Sequence, residues 1–227
     1  MQANDEYTGD TMKKLISMTR WVTMLLMISM HSTVSSAALP LPGTPVSSDT
    51  LSMARTMLLN GKIIVSLSQL ENGVTGVRGD VYIAAPPETV WAVITDYNNH
   101  KNFVPGVLDS GIISDNGSEK VMFEKGKSGL FVFSKTVNVK MRVWGEKPKR
   151  LNFEQITGDF KVYHGEWLLL VSPPDKGTFL TYKAEVKPNF FAPGFAVRNV
   201  QKKECPLMLS AMKKRSESLT SLAIKNQ

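Results

Sequence analysis

Residues 81–105 read VYIAAPPETVWAVITDYNNHKNFVP. The β-rich start is the end of a strand, and Pro86-Pro87 stops it. Pro87 suits the first turn of a helix, where its missing N–H would have no helical partner, and Glu88 sits well at the positive helix end. Val90, Trp91, Ile94 and Tyr97 then recur at helical spacing and make one apolar face. The polar run DYNNHKN (96–102) breaks that face, and Phe103-Val104-Pro105-Gly106 is a stop. The stretch therefore predicts a strand, one short amphipathic helix over 88–97 and a turn. So short a helix covers only one end of a sheet, and the rest of the sheet needs another partner.

Working outward, the flanks are β-rich. GKIIVSLSQL (61–70) predicts a strand, Glu71-Asn72-Gly73 a turn, and VTGVRGDVYIAA (74–85) a returning strand whose Gly76 and Gly79 mark a bend or bulge. Downstream, strands are expected over 107–114, 118–125, 130–145, 150–157, 160–171 and 178–187, a β-meander. The turns between them have turn chemistry: Asp115-Asn116-Gly117, Lys125-Gly126-Lys127, Lys147-Pro148-Lys149, Thr157-Gly158-Asp159 and Pro173–Gly177. Val137, Val139, Met141 and Val143 alternate with polar neighbours, as do Leu180, Tyr182, Ala184 and Val186, so these strands have one apolar and one wet face. In 160–171, Trp167, Leu169 and Val171 share one face and Glu166, Leu168 and Leu170 the other, and the pattern does not say which is inward. No internal repeat occurs.

After Pro188 comes NFFAPGF, then a long helical pattern. Val197, Val200, Met208, Ala211, Leu219 and Leu222 trace a stripe against a Lys/Arg-rich face. Pro206 removes a hydrogen bond and clashes with the preceding turn, so it predicts a kink or a division into helices 193–204 and 206–224. The fold class is then α+β: a curved antiparallel β-sheet closed by a long C-terminal α-helix. A sheet curved around one helix leaves a hollow, and the helix after Pro-Pro plugs its end.

The chain has 227 residues, 42% of them hydrophobic and 21% charged, enough for one sizeable core. The net charge of +7 is spread along the chain and has its plainest explanation in a solvated basic surface. No run resembles a nucleic-acid-binding arm, so nucleic acid is not an expected partner; an anionic membrane surface is the candidate neighbour. The single cysteine, Cys205, excludes an internal disulfide and reads as a small core residue.

Lys13, Lys14 and Arg20 precede an apolar run, WVTMLLMISM (21–30), and then small residues at Ser35 and Ala37. This is the pattern of a secretory signal cleaved after Ala37, which predicts a periplasmic or secreted protein. The run is well short of the ~20 residues a spanning helix needs; the alternative is an uncleaved anchor in the inner membrane. Asp5, Glu6 and Asp10 spoil the basic start, and Met12 makes a better beginning than Met1. The expected domains are 1–37, extension and signal; 38–60, a Pro/Ser-rich linker with a short helix over 51–59; and 61–224, the ligand-binding domain.

The order strand, short helix, meander, long helix resembles the START-like helix-grip superfamily (SRPBCC), and within it the polyketide cyclase/dehydrase and coenzyme Q-binding START group. The resemblance is carried by APPETVWAVITDY (85–97), FVPGV (103–107), GDF (158–160), GEWLLL (165–170), GTFLTY (177–182), PNFFAPGF (188–195) and MKKRSESL (212–219), and covers roughly residues 62–222. It implies a deep apolar pocket between sheet and C-terminal helix that takes a lipid, quinone, sterol or polyketide, in proteins that are mostly not enzymes.

The candidate lining of that pocket is Trp91, Val139, Met141, Phe153, Trp167, Tyr182, Phe195, Val200 and Met208. No catalytic constellation, zinc spacing or nucleotide-binding motif stands out, and no cofactor is expected. His164 and Glu166 share a strand face and, with Tyr182, are the candidates for acid/base chemistry. His100, in its polar run, reads as a solvated loop residue. The resulting expectation is a non-enzymatic binder or carrier of a hydrophobic molecule. The alternatives are a cyclase/dehydratase-type enzyme and an interaction module whose basic helix docks on anionic lipid or a protein.

Overall fold

The computed structural model describes residues 48–130, 133–173 and 177–226, so the expected signal over 1–37 and residues 38–47 of the expected linker lie outside the described residues. A first helix, α1 (Ser48–Leu59), leads into β1 (Ile63–Gln69) and β2 (Thr75–Ile83). Two short helices follow, α2 (Pro87–Ile94) and α3 (His100–Phe103). Then come β3 (Val107–Asp115), β4 (Glu119–Leu130), β5 (Phe133–Glu146), β6 (Arg150–Gly158), β7 (Phe160–Ser172), β8 (Gly177–Pro188) and the closing helix α4 (Gly194–Lys225).

The strands form one eight-stranded antiparallel sheet in the order β1-β2-β8-β7-β6-β5-β4-β3. From β3 to β8 each strand pairs with the next, the meander that the turn chemistry predicts. β2 pairs with β8, with Val77 opposite Ala184 and Val81 opposite Leu180. The chain therefore leaves β2 near one edge and re-enters at the far edge, β3. α2 and α3 make that crossing, which is why a short helical segment stands where it does. Its corner is fixed by Thr178 Oγ1, which donates to the Ala85 carbonyl at 2.7 Å. The loop between α2 and α3 is tied to β3 by the Ile112 N–H, which donates to Asn98 Oδ1 at 3.0 Å.

The alternation in β5 and β8 holds: Val139, Met141, Val143, Leu180, Tyr182, Ala184 and Val186 are all buried. The open question of β7 is settled by Trp167 and Leu169, which face the core. Val171 leaves that face and is exposed, because Ser172 takes the buried place and receives Arg55 Nη2 of α1 at 3.2 Å. One predicted turn is wrong. Lys125-Gly126-Lys127 continues β4 and pairs with Asn138, Val137 and Thr136. Extended pairing there satisfies more backbone groups than a tight turn would.

The predicted division of the last helix at Pro206 does not occur; one helix of 32 residues runs through it. Pro206 costs one helical bond to Lys202, which lies on the exposed side where water can take its carbonyl. Cys205 and Leu209 on either side are buried and hold the helix down. α4 lies against β1, β2 and α2, with lighter contact to β4. Close approach is possible because β2 offers Gly79. A methyl there would meet Leu209 Cδ1 at 2.6 Å and Cys205 Sγ at 2.8 Å. Further along, Glu217 Oε1 accepts from the Ala84 N–H at 2.9 Å, and Lys213 Nζ donates to the Tyr82 carbonyl at 2.8 Å. The helix is thus fixed against the β1–β2 side, and the inner faces of β5–β8 are left looking into a space.

Candidate functional site

That space is a cavity of about 470 Å³ between sheet and α4, within the range of small-molecule sites. β5 supplies Val139, Met141 and Val143 to its wall, and β6 supplies Leu151 and Phe153, each set following the two-residue period of a strand. Trp167 of β7 and Tyr182 of β8 continue the wall, and Val200 and Met208 of α4 face them. Seven of the nine predicted lining residues are therefore brought together here: Val139, Met141, Phe153, Trp167, Tyr182, Val200 and Met208.

Trp91 and Phe195 are not. Ile94, one turn further along α2, faces the cavity, while Trp91 packs against the core elsewhere. In α4 the inward positions are Ala196, Val197 and Val200, so at about 100° per residue Phe195 falls on the outside, where it is 55% exposed.

The aromatic residues of the wall form one connected group. Phe153 stacks on Tyr182 with centroids 5.9 Å apart and meets Tyr163 at 5.4 Å, and Trp167 meets Tyr182 at 4.7 Å. The hydroxyls of Tyr163 and Tyr182 are 3.5 Å apart, the outer limit of a hydrogen bond. Burial pushes the Tyr163 hydroxyl up to about 12 and that of Tyr182 well above its ordinary value, so both stay neutral. Cys205 also lines the cavity, and burial pushes its thiol up to about 12, consistent with a core residue.

His100 overturns its expectation. It is 6% exposed, lines the cavity, and its Nδ1 lies 2.7 Å from Glu124 Oε1. The run that looks like a polar loop turns once more as α3, which carries the ring inward. Tyr97, His100 and Phe103 pack edge to face in sequence, at 5.5 and 5.6 Å. Their spacing of three residues was the missed signal: DYNNHKNF hides an aromatic row among polar residues. Glu124 sits two residues after buried Met122 on β4, on the same face, and also lines the cavity. Burial, and then the charge of Glu124, raise the pKa of the Tyr97 hydroxyl.

The predicted acid/base set does not assemble. His164 and Glu166 do share a strand face, but it is the outer one. His164 Nε2 lies 3.6 Å from Glu185 Oε2, and Glu166 takes Lys183 at 2.8 Å and Arg150 at 3.4 Å. Tyr182 alone of the three reaches the cavity. Among the described residues no group of His, Cys, Asp and Glu could hold a metal ion.

The fold is similar to that of TTHA0849 from Thermus thermophilus, with TM-score 0.56, 21% identity, and coverage of 63% of this chain and 98% of that one. It is similar to the Zhui aromatase/cyclase from Streptomyces sp. R1128, with TM-score 0.55, 16% identity, and 63% and 94% coverage. A STAR-related lipid transfer protein fragment from Xanthomonas axonopodis matches with TM-score 0.53, 16% identity, and 67% and 98% coverage. The chain has no match among curated proteins. Residues 83–213, more than half of the 227, match the sequence pattern of the family described as polyketide cyclase / dehydrase and lipid transport. With its eight-stranded sheet closed by a long C-terminal helix over an apolar cavity, the chain belongs to that START-like family.

Proposed function

We propose that the protein binds and carries an apolar small molecule in this cavity, a lipid, quinone or polyketide-like compound, and does no chemistry on it. The observation that carries this reading is the cavity itself: about 470 Å³ between sheet and α4, walled mainly by aliphatic and aromatic side chains. The dispersal of His164 and Glu166 to the outer face supports a binder over an enzyme. One observation favours the second reading, a cyclase/dehydratase-type enzyme: His100 stands at the cavity wall within hydrogen-bond distance of Glu124.

The pattern over 13–37 supports export, with the carrier working in the periplasm or outside the cell, or held by an uncleaved anchor. No helix among the described residues is long and apolar enough to cross a membrane.

Native mass spectrometry of the protein purified from an exporting host, followed by solvent extraction, tests both points. The expected result is a stoichiometric apolar compound on a chain that begins at Ala38. A protein that carries nothing and takes up no lipid, quinone or aromatic polyketide when offered them would overturn the carrier reading.

A further inference from the structure

Glu124 lines the cavity from the inner face of β4, and its side chain keeps 25% of its surface accessible. Its Oε1 lies 2.7 Å from His100 Nδ1. Oε2 takes no hydrogen bond from the described residues, and no lysine or arginine among them pairs with the carboxylate. Nor is Oε2 sealed off: the side-chain atoms that are both closed and unpaired are Thr75 Oγ1, Tyr97 Oη, His100 Nε2 and Gln155 Oε1. A carboxylate on a largely apolar wall is thus reachable with one oxygen unmet, a costly arrangement unless a partner supplies the missing donor. Beyond burial, the largest cause, the negative charge of Glu124 also raises the pKa of the Tyr163 and Tyr182 hydroxyls, which line the cavity from β7 and β8. The field of the carboxylate therefore reaches across the space that a ligand would fill.

The chemistry of the missing partner follows. A carboxylate only accepts, so His100 donates to Oε1 from Nδ1, and Oε2 calls for an O–H or N–H. We propose that Glu124 Oε2 anchors a hydrogen-bond donor at the polar end of an otherwise apolar ligand, with His100 holding the carboxylate in place. An ether, ester or ketone oxygen would set lone pairs against lone pairs. A carboxylic acid would bring a second negative charge into a poorly screened space. An alcohol, a phenol or an amine each brings the donor, and an ammonium adds its charge. Among lipids, quinones and polyketides, this selects those that carry a hydroxyl or an amine, and a reduced quinone over its oxidised form. The inference rests on the carrier reading and names the polar end of what is carried.

The test is titration calorimetry of delipidated full-length protein with 1-dodecanol, dodecylamine and methyl dodecyl ether, which keeps an oxygen and has no donor. At least one of the two donors is expected to bind about tenfold or more tighter than the ether, the worth of one hydrogen bond to a charged group, and the tighter one names the donor class. Glu124→Gln keeps the shape, and its amide can accept from His100 while turning N–H toward the ligand. The ratio of donor to ether should therefore fall to within about twofold of one, with ether binding kept. Retained ether binding also reports that the variant folds. Should Glu124→Gln not fold, Glu124→Asp, which withdraws the carboxylate by one methylene, should lower the ratio in the same way. Equal binding of all three probes by the unaltered protein would overturn the anchor alone, as would a ratio that survives the substitution. Failure of all three to bind would overturn the carrier reading, and the anchor with it.

Discussion

At the scale of single residues, neighbours decide chemistry more than residue type does. His164 and His100 are both histidines beside a glutamate, yet one is half exposed on the outer sheet face and the other is sealed into the cavity wall. Cys205 shows the same dependence. It is 3% exposed beside Gly79, and burial pushes its thiol up to about 12. Since the thiolate is the nucleophile, iodoacetamide at pH 8 should modify Cys205 at least about a hundredfold more slowly in the native protein than in urea. Labelling followed by intact mass checks this. Equal rates would mean that the helix opens from β2 and that the cavity is unsealed there.

Among the elements, the decisive contact is α4 on β2. The helix carries Pro206 in its interior and few strongly apolar turns, so its position depends on packing rather than on intrinsic propensity. Gly79 lets it come close enough to bury Leu209 completely. Gly79→Ala brings a methyl to 2.6 Å from Leu209 Cδ1 and 2.8 Å from Cys205 Sγ, so both side chains must shift. A loss of about 1–3 kcal/mol is expected, read as a lower urea midpoint with an unchanged slope. The same change at Gly117, with nothing within 4 Å, tests only turn strain at φ 88° and serves as the comparison. An unaltered midpoint for Gly79→Ala would show that the helix does not sit where this contact puts it.

For the whole molecule, the carrier reading proposed above turns on how a ligand would enter the cavity. Lys127, Lys203 and Leu207 border the cavity, and Phe190 lines it at the turn into α4. Next to it Phe191 is 94% exposed, and Phe195 stands out from the first turn of the helix that further along carries the exposed Lys202 and Lys203. Exposed aromatics beside lysines suit an anionic bilayer surface. Vesicles containing anionic phospholipid should therefore bind the protein in flotation assays, and binding should fall steeply as salt rises from about 0.05 to 0.5 M. Changing Phe191 and Phe195 together to serine should weaken it about tenfold. Binding that ignores both salt and these two residues would exclude this face as the docking surface.

The sequence by itself determined the architecture: the two-residue period of β5 and β8, most of the turn residues between strands, and Pro86-Pro87 before α2. These are local signals, and local sterics and hydrophobic periodicity suffice to write them. Of the stripe expected on α4, Val197 and Val200 are buried, but the inward face continues through Cys205, Leu209, Met212 and Ser216, and Leu222 is exposed. Of the nine lining residues the sequence suggested, seven reach the cavity; five of these lie on strands, where an alternating strand has only two faces and the apolar one must turn inward. Only the tertiary structure decided the rest. Lys125–Lys127 extends because β5 is there to pair with it, and α4 stays whole through Pro206 because β2 and α2 hold it. His100 is buried because α3 crosses the mouth of the sheet and brings it to Glu124 of β4, 24 residues away. That meeting is a contact between distant segments, fixed by how the chain returns from β2 to β3, and no local pattern encodes it.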